Sequence, residues 1–413
     1  MSAAARRKFL IIYAQPTFWS MGEGIGAGSF SRTPSALVSR GHDVHIVLPA
    51  PPGQPSSLET KDGVHLHRFA TGTRFSTPYA PLPIRLVERV YAWSAFQRIG
   101  TWEAMRIARE LRPDIVLSYG TFEAPVARRV AQRLGVPNVV RLFGSALSMN
   151  LDDPIRFRLN FPEIRAFRTP CARLILTNDG ADGERVARRL GVPCDRFIHL
   201  RNGLDFTHFV PGPEDPAVRE RLGVPPGAPI LLTATRLHQE KKLERVIDAV
   251  PELARRLPDA VAVLVGEGPE RARLEAHVRR LGIERSVRMP GAVPNRDLVG
   301  WYRTAAIVLS LLDRTNASNP VFEAMACERC VVALDAGTTR EVVVPEETGV
   351  LIERSDLPRL GNVLADLLAD PGRRERLGKA ARRHVRSILL DPEDRMEQEV
   401  RILLEVIEEA RRG

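Results

Sequence analysis

Apolar positions along this chain cluster in short β-branched blocks, separated by stretches in which apolar and charged residues alternate with helical period. Phe9–Ala14 reads as a buried strand, a glycine-bearing loop follows, then a helix through Thr33–Arg40, with Gly41 leading to a strand at His45–Leu48. The strand Asp114–Ser118 precedes a helix through Pro125–Leu134, and Gly135-Val136-Pro137 leads to the strand Asn138–Leu142. Arg173–Thr177, a helix over Glu184–Leu190 and the strand Phe197–Leu200 repeat the unit. Helices that end in Gly and pass into β-branched runs predict a parallel, doubly wound sheet, whose strands are buried on both faces. Between Phe209 and Pro229 the composition shifts to PGPEDP and GVPPGAP, which marks a domain crossing. The alternation then restarts. Ile230–Ala234, Val261–Val265, Val287–Met289, Ile307–Leu311 and Cys330–Leu334 are strands, with helices at Leu243–Leu257 and Arg271–Leu281. The pattern predicts an α/β protein of two tandem Rossmann-like domains, residues 1–205 and 206–385, facing each other across a cleft at the strands' C-terminal ends. Residues 386–413 include an amphipathic helix, Met396–Arg412, long enough to reach back onto the first domain.

Composition narrows the class of protein. A chain of 413 residues with 44% hydrophobic and 27% charged residues fits a soluble protein of two domains. No apolar run approaches the roughly 20 residues that span a bilayer. The N-terminal ARRKFLIIYA has a signal-like flavour, but its apolar core is short and no small-residue cleavage site follows, so it reads as a first strand behind a basic tail. Four cysteines make no disulfide framework, and the CxxC of Cys327 and Cys330 joins a helix end to a strand, where packing thiols are expected. A reducing cytoplasm follows. The net charge of +10 suits a phosphorylated substrate or an anionic lipid surface. The basic residues are scattered along helices (ARRVAQRL, ERVARRL, AARRHVR) rather than interleaved with aromatics, which argues against nucleic acid as a partner. In the helix RLVERVYAWSAFQRIG, Trp93, Phe96 and Arg98 offer either core packing, the favoured reading, or a peripheral contact with anionic membrane at the inner face of the cell membrane.

Candidate chemistry sits on loops that follow strands. GEGIGAG, with Gly24 and Gly26, permits close approach of backbone to a ligand, but Ala27 stands where the dinucleotide fingerprint has its third glycine. In the second half three loops would converge on one rim. Thr235 to Lys242 carries Arg236 and Lys241 near a helix start, an arrangement suited to a diphosphate. Gly266-Glu267-Gly268-Pro269 is a tight turn that also ends at a helix. Asp313 to Asp335 combines an Asn- and Pro-rich loop, a short helix with Glu323, and a buried strand.

These stretches resemble the GT-B glycosyltransferases of the group 1, or family 4, type. The family's GRL-x-x-EKG appears as TRLHQEKK, its G-x-G-PER as GEGPER, and EAMAxGxxVV as EAMACERCVV. LGIERSVRMPGAVP, WYRTAAIVLS and EVVVPEETGVLI match further, and RGHDVHIV, RPDIVLS, LGVPNVV and RNGLD agree more loosely in the first half. The resemblance implies a retaining transferase that moves a sugar from a nucleotide-diphosphate donor to a glycan or lipid-linked acceptor hydroxyl, with no cofactor and no metal. It gives Arg236 and Lys241 the donor diphosphate and the developing charge of the leaving group, which is the catalytic role. Glu323 would take the donor ribose hydroxyls. Backbone around Asn319, Pro320 and Val321 would meet the phosphates, with Gly266 and Gly268 beside them and Gly24 or Gly26 approaching from the other domain. The chain departs from the family where an acid eight residues before Glu323 is replaced by Thr315, and where a His position carries Phe143. Asp313, Asn316, Arg141, Asp179 and Asp182 therefore become candidates for sugar or acceptor contacts. A nucleotide-sugar epimerase on the same fold and a non-catalytic nucleotide-sugar-binding protein are the alternatives.

Overall fold

A computed structural model describes residues 5–15, 29–51, 53–70, 82–177, 180 and 182–412. Backbone contacts divide the chain into two units: Met1–Asn178 with Asp182–Arg201 and Glu393–Gly413, and Asp179–Ala181 with Asn202–Pro392.

The first unit is built on eight strands: β1 (Lys8–Ile12), β2 (Asp43–Pro49), β3 (Ser57–Lys61), β4 (Val64–Phe69), β5 (Ile115–Tyr119), β6 (Asn138–Leu142), β7 (Arg173–Thr177) and β8 (Phe197–Leu200). Their order across the sheet is β3-β4-β2-β1-β5-β6-β7-β8, and every pairing is parallel except β3 with β4. The two-residue period of β1 explains why its run is apolar throughout. Phe9 and Ile11 face Val400, Leu403, Val406 and Ile407 of the helix Pro392–Arg412, whereas Leu10 and Ile12 face Phe96, Ala104, Ile107 and Val130 on the other side. Phe96 therefore packs in the core, and the helix Leu82–Leu111 that bears it leaves Val87, Tyr91 and Trp102 exposed. The helix Ala124–Leu134 ends as its sequence requires: Gly135 takes a left-handed φ of 68° and its N–H returns to the Ala131 carbonyl.

An ionic cluster is buried in this unit. Glu399 accepts from Arg141 Nε at 3.0 Å, from Arg395 Nη2 at 2.7 Å and from the Thr33 hydroxyl at 2.9 Å. Arg141 also donates to Thr177 Oγ1 at 2.9 Å and to the Leu142 carbonyl at 2.6 Å, with its guanidinium 4.4 Å from the Phe143 ring. Arg141, expected to touch a sugar or acceptor, is instead 3% exposed and committed to this cluster. Burial alone would push the Glu399 carboxyl up, but Arg141 and Arg395 outweigh it and hold it below the ordinary carboxylate value.

The second unit holds β9 (Ile230–Ala234), β10 (Val261–Val265), β11 (Val287–Gly291), β12 (Ile307–Ser310), β13 (Cys330–Leu334) and β14 (Val350–Ile352), all parallel, in the order β11-β10-β9-β12-β13-β14. Its helices again cover both faces. Cys327 packs with Ile230, Leu232, Val331 and Ala333, while Cys330 packs on the opposite face with Leu231, Val332 and Leu334. Burial pushes both thiols up to about 12, so this CxxC is two separate packing groups. Among the described residues no helix is long and apolar enough to cross a membrane.

Removing the carboxylate charge leaves two buried guanidinium groups without their anion, so Glu399→Gln is expected to cost about 3–5 kcal/mol at neutral pH. A depressed folded pKa means that this contribution is complete above the unfolded value of about 4.3 and fades as pH falls below it. Thermal melts of wild type and Glu399→Gln should differ most at pH 7 and converge below about pH 4; a constant gap would refute the assignment.

Candidate functional site

The second sheet reverses its winding between β9 and β12. The chain runs from β9 outward to β10 and β11, then crosses back to β12 on the other side, which makes the C-terminal ends of β9 and β12 a topological switch point. Pairing between the two strands stops at Leu232↔Val308, two residues short of either end. The strands part there and open a cavity of about 60 Å³, lined by Thr233, Thr235, Lys241, Ser310, Ser318, Pro320 and Val321, among others. Ligand pockets run to about 300–1,000 Å³, so this one takes a fragment of phosphate size. A larger cavity of about 440 Å³ lies at the strands' N-terminal ends, walled by Pro225, Pro226, Pro229 and Pro258, with Asp259 its one charged residue.

Two loops are fastened to each other beside the switch point. Thr235 N–H donates to the Val265 carbonyl and Leu237 N–H to the Glu267 carbonyl, both at 2.9 Å, and Glu270 N–H returns to the Leu237 carbonyl at 3.1 Å. Gly266 has a φ of 146°, and a Cβ there would run into the Thr235 carbonyl. A Cβ on Gly268 would meet the Leu237 carbonyl in the same way. The glycines let one loop lie on the other's backbone, which fixes where Arg236 and Lys241 leave the chain. Arg236 is 78% exposed and weakly paired with Glu240 at 3.5 Å. Lys241, in contrast, is 22% exposed at its side chain and enters the cavity wall. Burial pushes its ammonium pKa down, Glu240 opposes the shift, and Arg236 and Arg314 add to it.

The other wall is the loop from β12 into the helix Asn319–Ala326. Asn316 is fully buried at its base. Its side chain accepts from Ser310 Oγ (2.8 Å) and Leu312 N–H (2.9 Å) and donates to the carbonyls of Leu312 (3.2 Å) and Leu334 (2.7 Å). Asn316 therefore shapes the loop and is not available to a sugar, contrary to expectation. Asp313 is held between Arg245 at 2.7 Å and Arg354 at 2.9 Å, and Thr315 Oγ1 accepts from Ala317 N–H at 3.1 Å. At the helix start, Pro320 has no N–H, and the N–H groups of Val321 and Phe322 both reach the Ser318 carbonyl. Among the described residues, the exposed Asn319 supplies the free N–H of the first turn.

Glu323 lies one turn farther in, 5% exposed, with Oε2 accepting from the Tyr302 hydroxyl at 2.8 Å and Oε1 from Asn295 Nδ2 at 3.1 Å. Burial pushes its carboxyl pKa up, and the two hydrogen bonds pull against that. Lys241, Pro320 and Val321 thus share the cavity, Glu323 stands behind it on the same helix, and Arg236 is outside. Gly24, Gly26 and Asp179 lie outside the described residues. Asp182 has a left-handed φ of 52° ahead of the helix Gly183–Arg189 and does not cap it.

Tyr302 and Asn295 were not visible from sequence, because each meets Glu323 only through the fold. Glu123 was missed for the same reason. It is 3% exposed beside the end of β1, accepts from Ala14 N–H at 2.6 Å, and burial raises its pKa to about 8.

Residues 214–384 match the family described as "Glycosyl transferases group 1", and residues 29–203 match "Glycosyl transferase 4-like domain", so the two matches together span most of the chain. The chain belongs to the group 1 glycosyltransferases. A similar member of that group is a GDP-mannose-dependent monoacylated alpha-(1-6)-phosphatidylinositol monomannoside mannosyltransferase of Corynebacterium glutamicum, 33% identical over 46% of this chain and 51% of the relative. The chain thus matches about half the length of that relative. Another is a GDP-mannose-dependent alpha-mannosyltransferase of Mycobacterium tuberculosis, 27% identical over 84% of each chain. Among solved structures, sucrose-phosphate synthase from Thermosynechococcus elongatus superposes with a TM-score of 0.73 at 20% identity, covering 97% of this chain and 99% of that one, which shows a common GT-B glycosyltransferase fold.

Asn316→Ala strands the Leu312 N–H and the Leu334 carbonyl, each at about 1–3 kcal/mol. The expected result is a melting temperature lowered by several degrees; an unchanged melt would show that the loop does not depend on this side chain.

Proposed function

We propose that this group 1 glycosyltransferase moves a sugar from a nucleoside-diphosphate donor to an acceptor hydroxyl, with retention at the anomeric carbon and without a metal. The observation that carries the reading is the meeting of Lys241 with the start of the helix Asn319–Ala326 at the switch point, with Glu323 buried one turn behind. A diphosphate seated in that cavity would face the Asn319 N–H, the positive end of the helix and the Lys241 ammonium. Arg236, exposed and only loosely tied to Glu240, is free to close on the same phosphates. As the bond from the anomeric carbon to the phosphate oxygen breaks, both cations stabilise the charge left on the nucleoside diphosphate. The acceptor oxygen bonds to the anomeric carbon on the same face, and its proton passes to the departing phosphate. Glu323 would accept the donor's ribose hydroxyls on the lone pairs that Tyr302 and Asn295 leave open.

The GDP-mannose dependence in the names of two relatives makes GDP-mannose the first donor to test. A lipid-linked acceptor fits the first of those names. Val87, Tyr91 and Trp102, exposed on the helix Leu82–Leu111, offer apolar contact to an anionic membrane surface.

Calorimetry with GDP, UDP and ADP, and with the corresponding sugars, reads the donor site directly. Lys241→Ala and Glu323→Ala should each weaken nucleotide binding about 10- to 100-fold, the loss of one charged hydrogen bond of about 1.5–3 kcal/mol. Unchanged affinity in both would overturn the donor assignment. The anomeric configuration of the product, read by NMR, tests retention independently, and an inverted product would refute it.

A further inference from the structure

One side-chain cluster lies outside the donor site. On β2 and β4 of the first unit, His45 pairs directly with His65, and Asp43 precedes His45 by two residues, so all three side chains stand on one face of the sheet. Among the described residues, this is the group of three whose ligand atoms all lie within 4.8 Å of one another. His45 Nε2 is 3.1 Å and His65 Nε2 3.8 Å from the same oxygen, Asp43 Oδ1. Bonds of about 2.0–2.1 Å in a tetrahedral zinc site put neighbouring ligand atoms about 3.3–3.4 Å apart, between those two spacings.

The outer nitrogens of both imidazoles are also engaged. His45 Nδ1 is 2.8 Å from His67 Nε2, and His65 Nδ1 is 3.0 Å from Thr60 Oγ1. A hydrogen bond at Nδ1 turns Nε2 into the lone-pair side, which is how metal-binding histidines are oriented. The nearby cations do not close the site. Lys8 Nζ is turned to the Leu111 carbonyl at 3.0 Å, and Arg6 approaches the other Asp43 oxygen, Oδ2, at 3.8 Å. All three candidate ligands are half-buried, which leaves a fourth position open to water.

We propose that Asp43, His45 and His65 bind one divalent transition-metal ion of zinc type, with His67 and Thr60 as the groups that orient the two imidazoles. Two nitrogens and one carboxylate oxygen form a set suited to Zn²⁺ rather than to Mg²⁺ or Ca²⁺. The ion would tie β2 to β4 next to the antiparallel strand β3, at the edge of the sheet. The cluster lies in the first unit, whereas the candidate donor cavity lies in the second.

The test uses untagged full-length protein in a Cys194→Ser background, because Cys194 is an exposed thiol that would bind zinc by itself. Titration with Zn²⁺ should show one equivalent bound and a higher melting temperature, and Co²⁺ should give the strong visible absorption of a four-coordinate site. His45→Ala and His65→Ala should each abolish both signals, while His277→Ala, which removes a histidine paired elsewhere with Asp248, should leave them unchanged. Circular dichroism checks that the variants fold. Should either fail to fold, Thr60→Val decides, with an expected loss of about tenfold or more in Co²⁺ affinity. Absence of the single equivalent, or its survival in the folded His45 and His65 variants, would overturn the proposal.

Discussion

The loop at the switch point of the second sheet depends on one amide. Asn316 pairs four groups that would otherwise be left unmatched inside the protein, the Ser310 hydroxyl, the Leu312 N–H and the carbonyls of Leu312 and Leu334, with a side chain that has no exposure. A buried loop is unfavourable unless its polar groups are paired, and here one side chain pairs both backbone groups of Leu312 and ties the loop to Ser310 and Leu334. The turn it fixes sets the start of the helix Asn319–Ala326, and so the positions of Pro320, Val321 and Glu323. Asp313, clasped by Arg245 and Arg354, and Thr315, bonded to the Ala317 N–H, brace the same turn from either side. The residues that replace the family's acid are thus occupied in building the loop.

The opposite side of the crevice is fixed by a different device. Gly266 and Gly268 carry no ligand-facing side chain, and the space a Cβ would need is filled by the carbonyls of Thr235 and Leu237. Backbone lies on backbone, and the loop that bears Arg236 and Lys241 cannot drift from the one beside it. The two cations then differ in freedom. Lys241 is anchored in the cavity wall, whereas Arg236 extends into solvent. A fixed charge beside an exposed one is what the proposed diphosphate site would use, first to bind and then to close.

Elements with local signatures were legible in the sequence, and those set by long-range packing were not. The strands announced themselves because both faces are buried, so β-branched runs such as that of β13 are unbroken. Helix ends were legible through their glycines, as at Gly135. The loops that carry Arg236, Gly266 and Glu323 were legible as strand-to-helix connections because an apolar run stops on one side and a helical period starts on the other. Polar residues were misjudged where burial decides their role. Arg141 and Asn316 look like ligand groups in sequence, yet one faces Glu399, 258 positions away, and the other lies beneath its own loop. The His45–His65 pair was equally hidden. Its members alternate with Val44, Ile46, Val64 and Leu66, and nothing local says that two polar edges will lie side by side.

Glu323 shows how a buried acid is held in place by its partners. An ionised carboxylate without partners would not persist at 5% exposure, and burial accordingly pushes its pKa up. Tyr302 and Asn295 each supply one hydrogen bond, which favours the charged form and locks the plane of the group. The two oxygens together have about four acceptor positions, so about two are left by these partners, as the proposed ribose contact requires. A carboxylate held in this way meets its ligand without first having to find its orientation, and the ordering cost is met by folding rather than by binding. The same partners explain why the residue is hard to assign from sequence: Tyr302 lies 21 positions before it and Asn295 lies 28, on a different helix and a different turn, and only the sheet's winding brings all three together.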